Sequence, residues 1–173
     1  MTGELHEAKR PVSAVLAGPY GHPFHPMLVA VPIGAWVASM VFDLASRFAP
    51  SPVFLAEGSK WLIAIGVLGA LAAAMAGFLD LFAIPAGTPV FRTGLVHMGL
   101  NLVITAAYAA GFLWRQAGTA AGTAAGAVAL GPLLLSAGSL ALLVVSGYLG
   151  GKLAYRYGVR VADEATQADG FRR

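Results

Sequence analysis

Four apolar stretches, separated by short polar breaks, make up most of this chain. No Asp, Glu, Lys or Arg occurs from Pro11 to Phe42, from Trp61 to Leu79, from Thr93 to Trp114, or from Gln116 to Gly151. Crossing about 30 Å of hydrocarbon takes roughly 20 apolar residues at about 1.5 Å each, so every stretch is long enough to span. The pattern predicts helices near residues 26–46, 60–84, 94–115 and 127–152. It divides the chain into an N-terminal segment over 1–25, a four-helix transmembrane domain over 26–152 and a tail over 153–173. The expected fold class is all-α, an integral membrane four-helix bundle.

Composition agrees with lipid as the solvent. Charged residues are 11% of the chain, against about 25% in soluble proteins. A domain this small leaves roughly a third of its unfolded-chain surface outside, so a surface this apolar needs a bilayer. With four spans both termini lie on one side. Near the helix ends that side carries Lys9, Arg10, Arg92, Lys152, Arg156 and Arg160, against Arg47, Lys60 and Arg115 opposite, which favours cytoplasmic termini in a bacterial inner membrane. Those flanks also account for the basic pI, so it does not indicate nucleic-acid binding. Lys9 and Arg10 precede a short apolar patch broken by Gly18, Pro19 and Gly21, which reads as an uncleaved anchor rather than a signal peptide. Without cysteine, disulfides, thiolate metal sites and cysteine catalysis are excluded.

Two repeats stand out. The tandem "GTAA" units in Gly118–Gly131 read as a linker of small residues. A subtler repeat pairs His25, opening the first helix, and Gly77, near the end of the second, with His97 and Gly147 in the third and fourth. Two hairpins of like orientation would then be related by an axis along the membrane normal, bringing His25 and His97 face to face.

The third helix carries the clearest chemical signal. His97, Asn101, Thr105 and Tyr108 lie on one helical face. Lipid cannot satisfy them, so that face points inward. Gly66, Gly69, Ala73, Ala76 and Asp80 on the second helix, with Ser136, Ser139, Ser146 and Gly150 on the fourth, offer complementary surfaces for close packing or for a flat cofactor. His22 and His25 both precede proline, which pushes both toward extended backbone with Pro26 starting the helix. Asp80 is a candidate to orient a ligating histidine, while Arg92 and Tyr148 share its level. Asp43 is expected to pair with Arg47, one turn away, or to cap the far side of the bundle. His6 reads as a solvated tail residue.

The segments "GHPFHPMLVAVPIG", "GFLDLFAIPAGTPVFRTGLVHMGLNL" and "SGYLGGKLAYRYGVRV" resemble the bacterial four-helix transmembrane family catalogued as domain of unknown function 2231, over about Gly18 to Val161. By association, the resemblance implies a redox setting with Rieske iron-sulfur or cytochrome-like partners. The family supplies no activity.

Three readings follow. In the first, a redox protein holds haem b through axial His25 and His97, with His22, Asp80, Arg92, Asn101 and Tyr148 around it and Arg92 or Arg156 on the propionates. In the second, His22, His25, His97 and Asp80 bind zinc, iron, nickel or copper, serving metal-ion or proton transport. In the third, a structural or assembly subunit carries no cofactor. The residues favour a redox or cofactor-binding membrane protein over a stand-alone enzyme. Self-association into a homo-oligomer is open.

Overall fold

A computed structural model describes residues 9–10, 21–122 and 126–171. His6 and residues 11–20, most of the anchor segment, lie outside the described residues, as does part of the "GTAA" linker. The helices are α1 (Phe24–Leu28), α2 (Ala30–Ser46), α3 (Val53–Leu81), α4 (Pro89–Ala120), α5 (Leu130–Gly151) and α6 (Glu164–Asp169). A π-helical turn, Lys152–Arg156, extends α5. Four helices are long and apolar enough to cross a membrane: Phe24–Ser46, Val53–Leu81, Pro89–Ala120 and Leu130–Arg156. The expected all-α, four-helix membrane bundle is therefore the observed fold.

The helix ends follow local chemistry more than charge. The third span starts at Pro89 rather than near residue 94, because the Thr88 side chain accepts from Phe91 N at 3.1 Å and proline suits the first helical position. The second span reaches back to Val53, drawing Glu57 and Lys60 into its first turns, where their 2.8 Å ion pair spares the lysine an unpaired charge. The first span is interrupted only at Val29. Pro32 has no N–H for the Leu28 carbonyl, while Val29 N still donates to His25 O at 3.1 Å.

One expectation fails here. Pro23 is extended, but His25 lies within α1 rather than in an extended segment. Pro26 falls in the first helical turn, where amide hydrogens have no intrahelical partner, so the preference imposed on its predecessor is overridden. The two histidines do not form a side-by-side extended pair.

Consecutive helices pack antiparallel around a ring, α2 on α3, α3 on α4, α4 on α5, and α5 back on α2. Hence α2 and α4 are diagonal, and their inward side chains meet on the bundle axis. Trp36, Ile63, Ile104 and Tyr108 form the buried core. Large apolar side chains such as Leu68, Met75, Leu113 and Val144 are more than 60% exposed, the outward face expected toward lipid.

Candidate functional site

Three pairs of side chains meet across the axis between the first and third spans, and in each pair the residues are 72 apart. At one end His25 and His97 have ring centroids 6.3 Å apart, at an interplanar angle of 87°. At mid-depth Trp36 and Tyr108 stack at 4.2 Å and 11°. At the other end Arg115 Nη1 and Nη2 donate to Asp43 Oδ1 and Oδ2, each at 2.7 Å. Eighteen residues of α4 separate His97 from Arg115, about 27 Å of helix. The histidines and the ion pair therefore sit near opposite faces of the hydrocarbon.

The hydrogen bonds obey the same two-fold relation. His25 Nδ1 donates to Ala73 O at 2.8 Å, and His97 Nδ1 to Ser146 O at 2.9 Å. Trp36 Nε1 donates to Ile63 O at 3.4 Å, and Tyr108 Oη to Ser136 O at 3.2 Å. In each comparison the two acceptors lie 73 residues apart, on α3 and α5. The glycines agree too. A Cβ on Gly77 would meet His25 Nδ1 at 2.8 Å, and one on Gly150 would meet His97 Cε1 at 3.1 Å. The internal repeat is thus present in three dimensions, but its register pairs Gly77 with Gly150, not with Gly147.

These notches are filled by side chains. A Cβ on Gly66 would lie 2.2 Å from Trp36 Nε1, and one on Gly69 2.6 Å from Val31 Cγ1. Along the middle of α3 the small residues therefore serve close packing and leave no slot for a flat cofactor.

The polar face of α4 points inward as expected. The Asn101 amide donates to Ser146 Oγ at 2.8 Å and to its own helix at His97 O, 2.9 Å, and lies 3.2 Å from His97 Nε2. Thr105 donates to Asn101 O, within α4. Asp80 does not orient a histidine. It faces Arg160 instead, with Nε 3.0 Å from Oδ1, a charge contact in which the buried Nε–H is not aligned as a hydrogen bond. Both histidines already direct Nδ1 at carbonyls, so no proton is left on that nitrogen for a carboxylate.

Other predicted site residues are placed elsewhere. Tyr148 is 74% exposed on the outer face of α5, and Arg92 is exposed as well. His22 precedes α1 and is partly buried. Among the described residues, no group of three or more His, Cys, Asp or Glu side chains is placed to hold a metal ion. The expected four-ligand set of His22, His25, His97 and Asp80 accordingly does not assemble.

At the far end the expected Asp43–Arg47 pair does not form. The partner of Asp43 is Arg115, while Arg47 Nη1 donates to Val128 O at 3.0 Å. Ser59 donates to Asp43 Oδ1 and accepts from Arg115 Nη1, and Ser136 Oγ accepts from Arg115 Nη2 at 3.1 Å. Asp43 and Ser59 are fully buried.

Fold and site together define an integral membrane protein of two pseudo-symmetric hairpins. The family model described as "Predicted membrane protein (DUF2231)" matches residues 21–163, and the chain belongs to that family. No curated protein and no solved structure matches it.

Proposed function

We propose that the chain is a membrane redox protein that holds haem b between His25 and His97, near the face bearing the termini. The observation that carries this reading is the His25–His97 pair itself. With each Nδ1–H committed to a carbonyl, each Nε2 is the lone-pair nitrogen that ligates a metal. Two imidazoles bound to opposite sides of one metal atom, through bonds of about 2 Å, have ring centres on the order of 6 Å apart, close to the 6.3 Å seen.

Ligand count separates haem from a bare ion. A zinc-type site needs about four ligands, and the described residues bring no third His or acid to this point. Haem supplies its own equatorial nitrogens and asks the protein for two axial ones. Haem iron would contribute one-electron transfer. The protein would fix both imidazole tautomers through Ala73 O and Ser146 O, give each ring a glycine to pack on, and offer exposed Arg92 and Arg156 to the propionates. The positive flanks support cytoplasmic termini in an inner membrane, with a redox protein at that face as partner.

The test is the absorption spectrum of detergent-purified protein supplied with haem during expression. The expected result is a Soret band that shifts and sharpens on dithionite reduction, as for a six-coordinate low-spin b-type centre. A spectrum with no such band overturns the proposal. One observation favours a second, cofactor-free structural reading. The Asn101 amide 3.2 Å from His97 Nε2 could complete a network that merely ties helices together.

A further inference from the structure

Cations are used differently at the two ends of the bundle. At the far end all three are engaged within the chain: Lys60 pairs with Glu57 at 2.8 Å, Arg115 with Asp43 at 2.7 Å, and Arg47 Nη1 donates to Val128 O at 3.0 Å. At the end bearing the termini, Arg160 faces Asp80 at 3.0 Å, but among the described residues Lys9, Arg10, Arg92, Lys152 and Arg156 form no ion pair. Asp163, the first acid of the tail, accepts from Thr166 N as the cap of α6. The positive charge of this face is therefore left for an anion outside the chain.

The π-helical turn brings two of these cations together. Tyr157 N donates to Lys152 O, five residues back, at 3.1 Å. That spacing seats Lys152 Nζ 5.5 Å from the centroid of the Tyr157 ring, a contact that holds an ammonium group without neutralising it. The next residue, Gly158, is left-handed with φ of 69°, and a Cβ there would lie 3.5 Å from Lys9 Nζ. Two ammonium groups from opposite ends of the chain thus flank the Tyr157–Gly158 step. Ser146, the partner of His97, lies six residues before Lys152, about 9 Å along the helix, which carries the lysine outward into the head-group layer. Between them Tyr148 is exposed, and deeper on the outer face of α5 so are Val144, Val145 and Leu134. This helix therefore presents an aromatic ring at the interface and an apolar surface beneath it.

A phosphate group carrying acyl chains matches both features, its charge the two ammonium groups and its chains the apolar surface below. We infer that Lys9 and Lys152 bind the phosphate of an anionic phospholipid, with Tyr148 packed below the head group and the acyl chains along the outer face of α5. Clusters of Lys and Arg just outside a membrane span bind anionic lipid head groups in this way. The site uses neither histidine and does not require the haem reading.

The experiment follows thermal unfolding of the detergent-purified full chain during titration with dioleoylphosphatidylglycerol or dioleoylphosphatidylcholine. A ligand bound by the folded state alone raises the melting temperature as its concentration rises. In wild type the anionic lipid is expected to act at a concentration about tenfold below that of the zwitterionic one. Lys9→Gln and Lys152→Gln are each expected to weaken the action of the anionic lipid about fivefold, while Arg47→Gln, at the far end, leaves its concentration dependence unchanged. Should a lysine variant fail to fold, wild type in about 1 M salt, where the screening length is about 3 Å, is expected to lose the difference between the two lipids. Equal action of both lipids on wild type, or a preference retained in full by the lysine variants or in high salt, overturns the proposal. Stabilisation by inorganic phosphate alone equal to that by the anionic lipid also overturns it, since the site would then take a soluble anion.

Discussion

Asp43 and Arg115 face each other across the bundle axis through two 2.7 Å contacts, and they occupy the same repeat positions, 72 residues apart, as His25 and His97 do at the opposite end. The pair is acid and base where the others are imidazole with imidazole and indole with phenol. The two-fold relation is therefore one of position, and at this level the sequence has made it complementary. An ion pair of this kind withstands burial because each charge has further partners in Ser59 and Ser136.

Removing one member strands the other. Asp43→Asn is expected to cost about 3–5 kcal/mol, the usual penalty for leaving a buried partner charge unpaired. Thermal unfolding in mild detergent reads this directly. A melting temperature within a degree or two of wild type would show that Arg115 finds another counter-charge.

The glycine notches make an equally sharp prediction. In Gly66→Ala the new methyl would meet the Trp36 indole at 2.2 Å, so destabilisation of about 1–3 kcal/mol is expected from overpacking. Gly34→Ala, where nothing lies within 4 Å, is expected to be neutral or slightly stabilising, since alanine favours helix by up to about 1 kcal/mol. Equal melting temperatures for the two variants would contradict the packing described.

Ser146 offers a finer test. Its hydroxyl accepts from Asn101 and lies 3.1 Å from His97 Nδ1, while its backbone carbonyl accepts from that nitrogen at 2.9 Å. Ser146→Ala is expected to cost only about 0.6 kcal/mol, the average for an interhelical side-chain bond in a membrane, and to leave haem binding intact. Loss of haem from this variant would mean that Asn101 and Ser146 hold the imidazole more firmly than the carbonyl does.

Tyr148→Phe is expected to leave both stability and haem content unchanged, because the ring lies on the outer face of α5. Haem content is read from the pyridine haemochrome. A drop would place Tyr148 at the site after all.

Much of this arrangement was legible from residue types alone. Long charge-free stretches announced the spans, since a bilayer penalises every buried charge. The inward face of α4 was legible because His97, Asn101, Thr105 and Tyr108 recur at helical spacing. What local spacing could not show was contact between distant segments. Spacing offers Asp43 either Arg47, one turn away, or a capping place on the far side of the bundle, and the Arg47 side chain turns instead to Val128 O. The repeat held the better answer, for the interval that joins His25 to His97 also joins Asp43 to Arg115 and Trp36 to Tyr108. In the sequence Arg160 counts only as one of the positive residues flanking the spans. It turns back to Asp80 through a left-handed step, with φ of 69° at Gly158 and 58° at Arg160 itself, and only the glycine hinted at that reversal.

As proposed above, two imidazoles from separate hairpins hold one iron, and low-temperature EPR of the oxidised, haem-loaded protein reads that ligation. The wild type is expected to show the low-spin signal of two imidazole ligands, converting to high spin in both His25→Ala and His97→Ala. A low-spin signal unchanged in either variant would mean that the iron is held by other ligands.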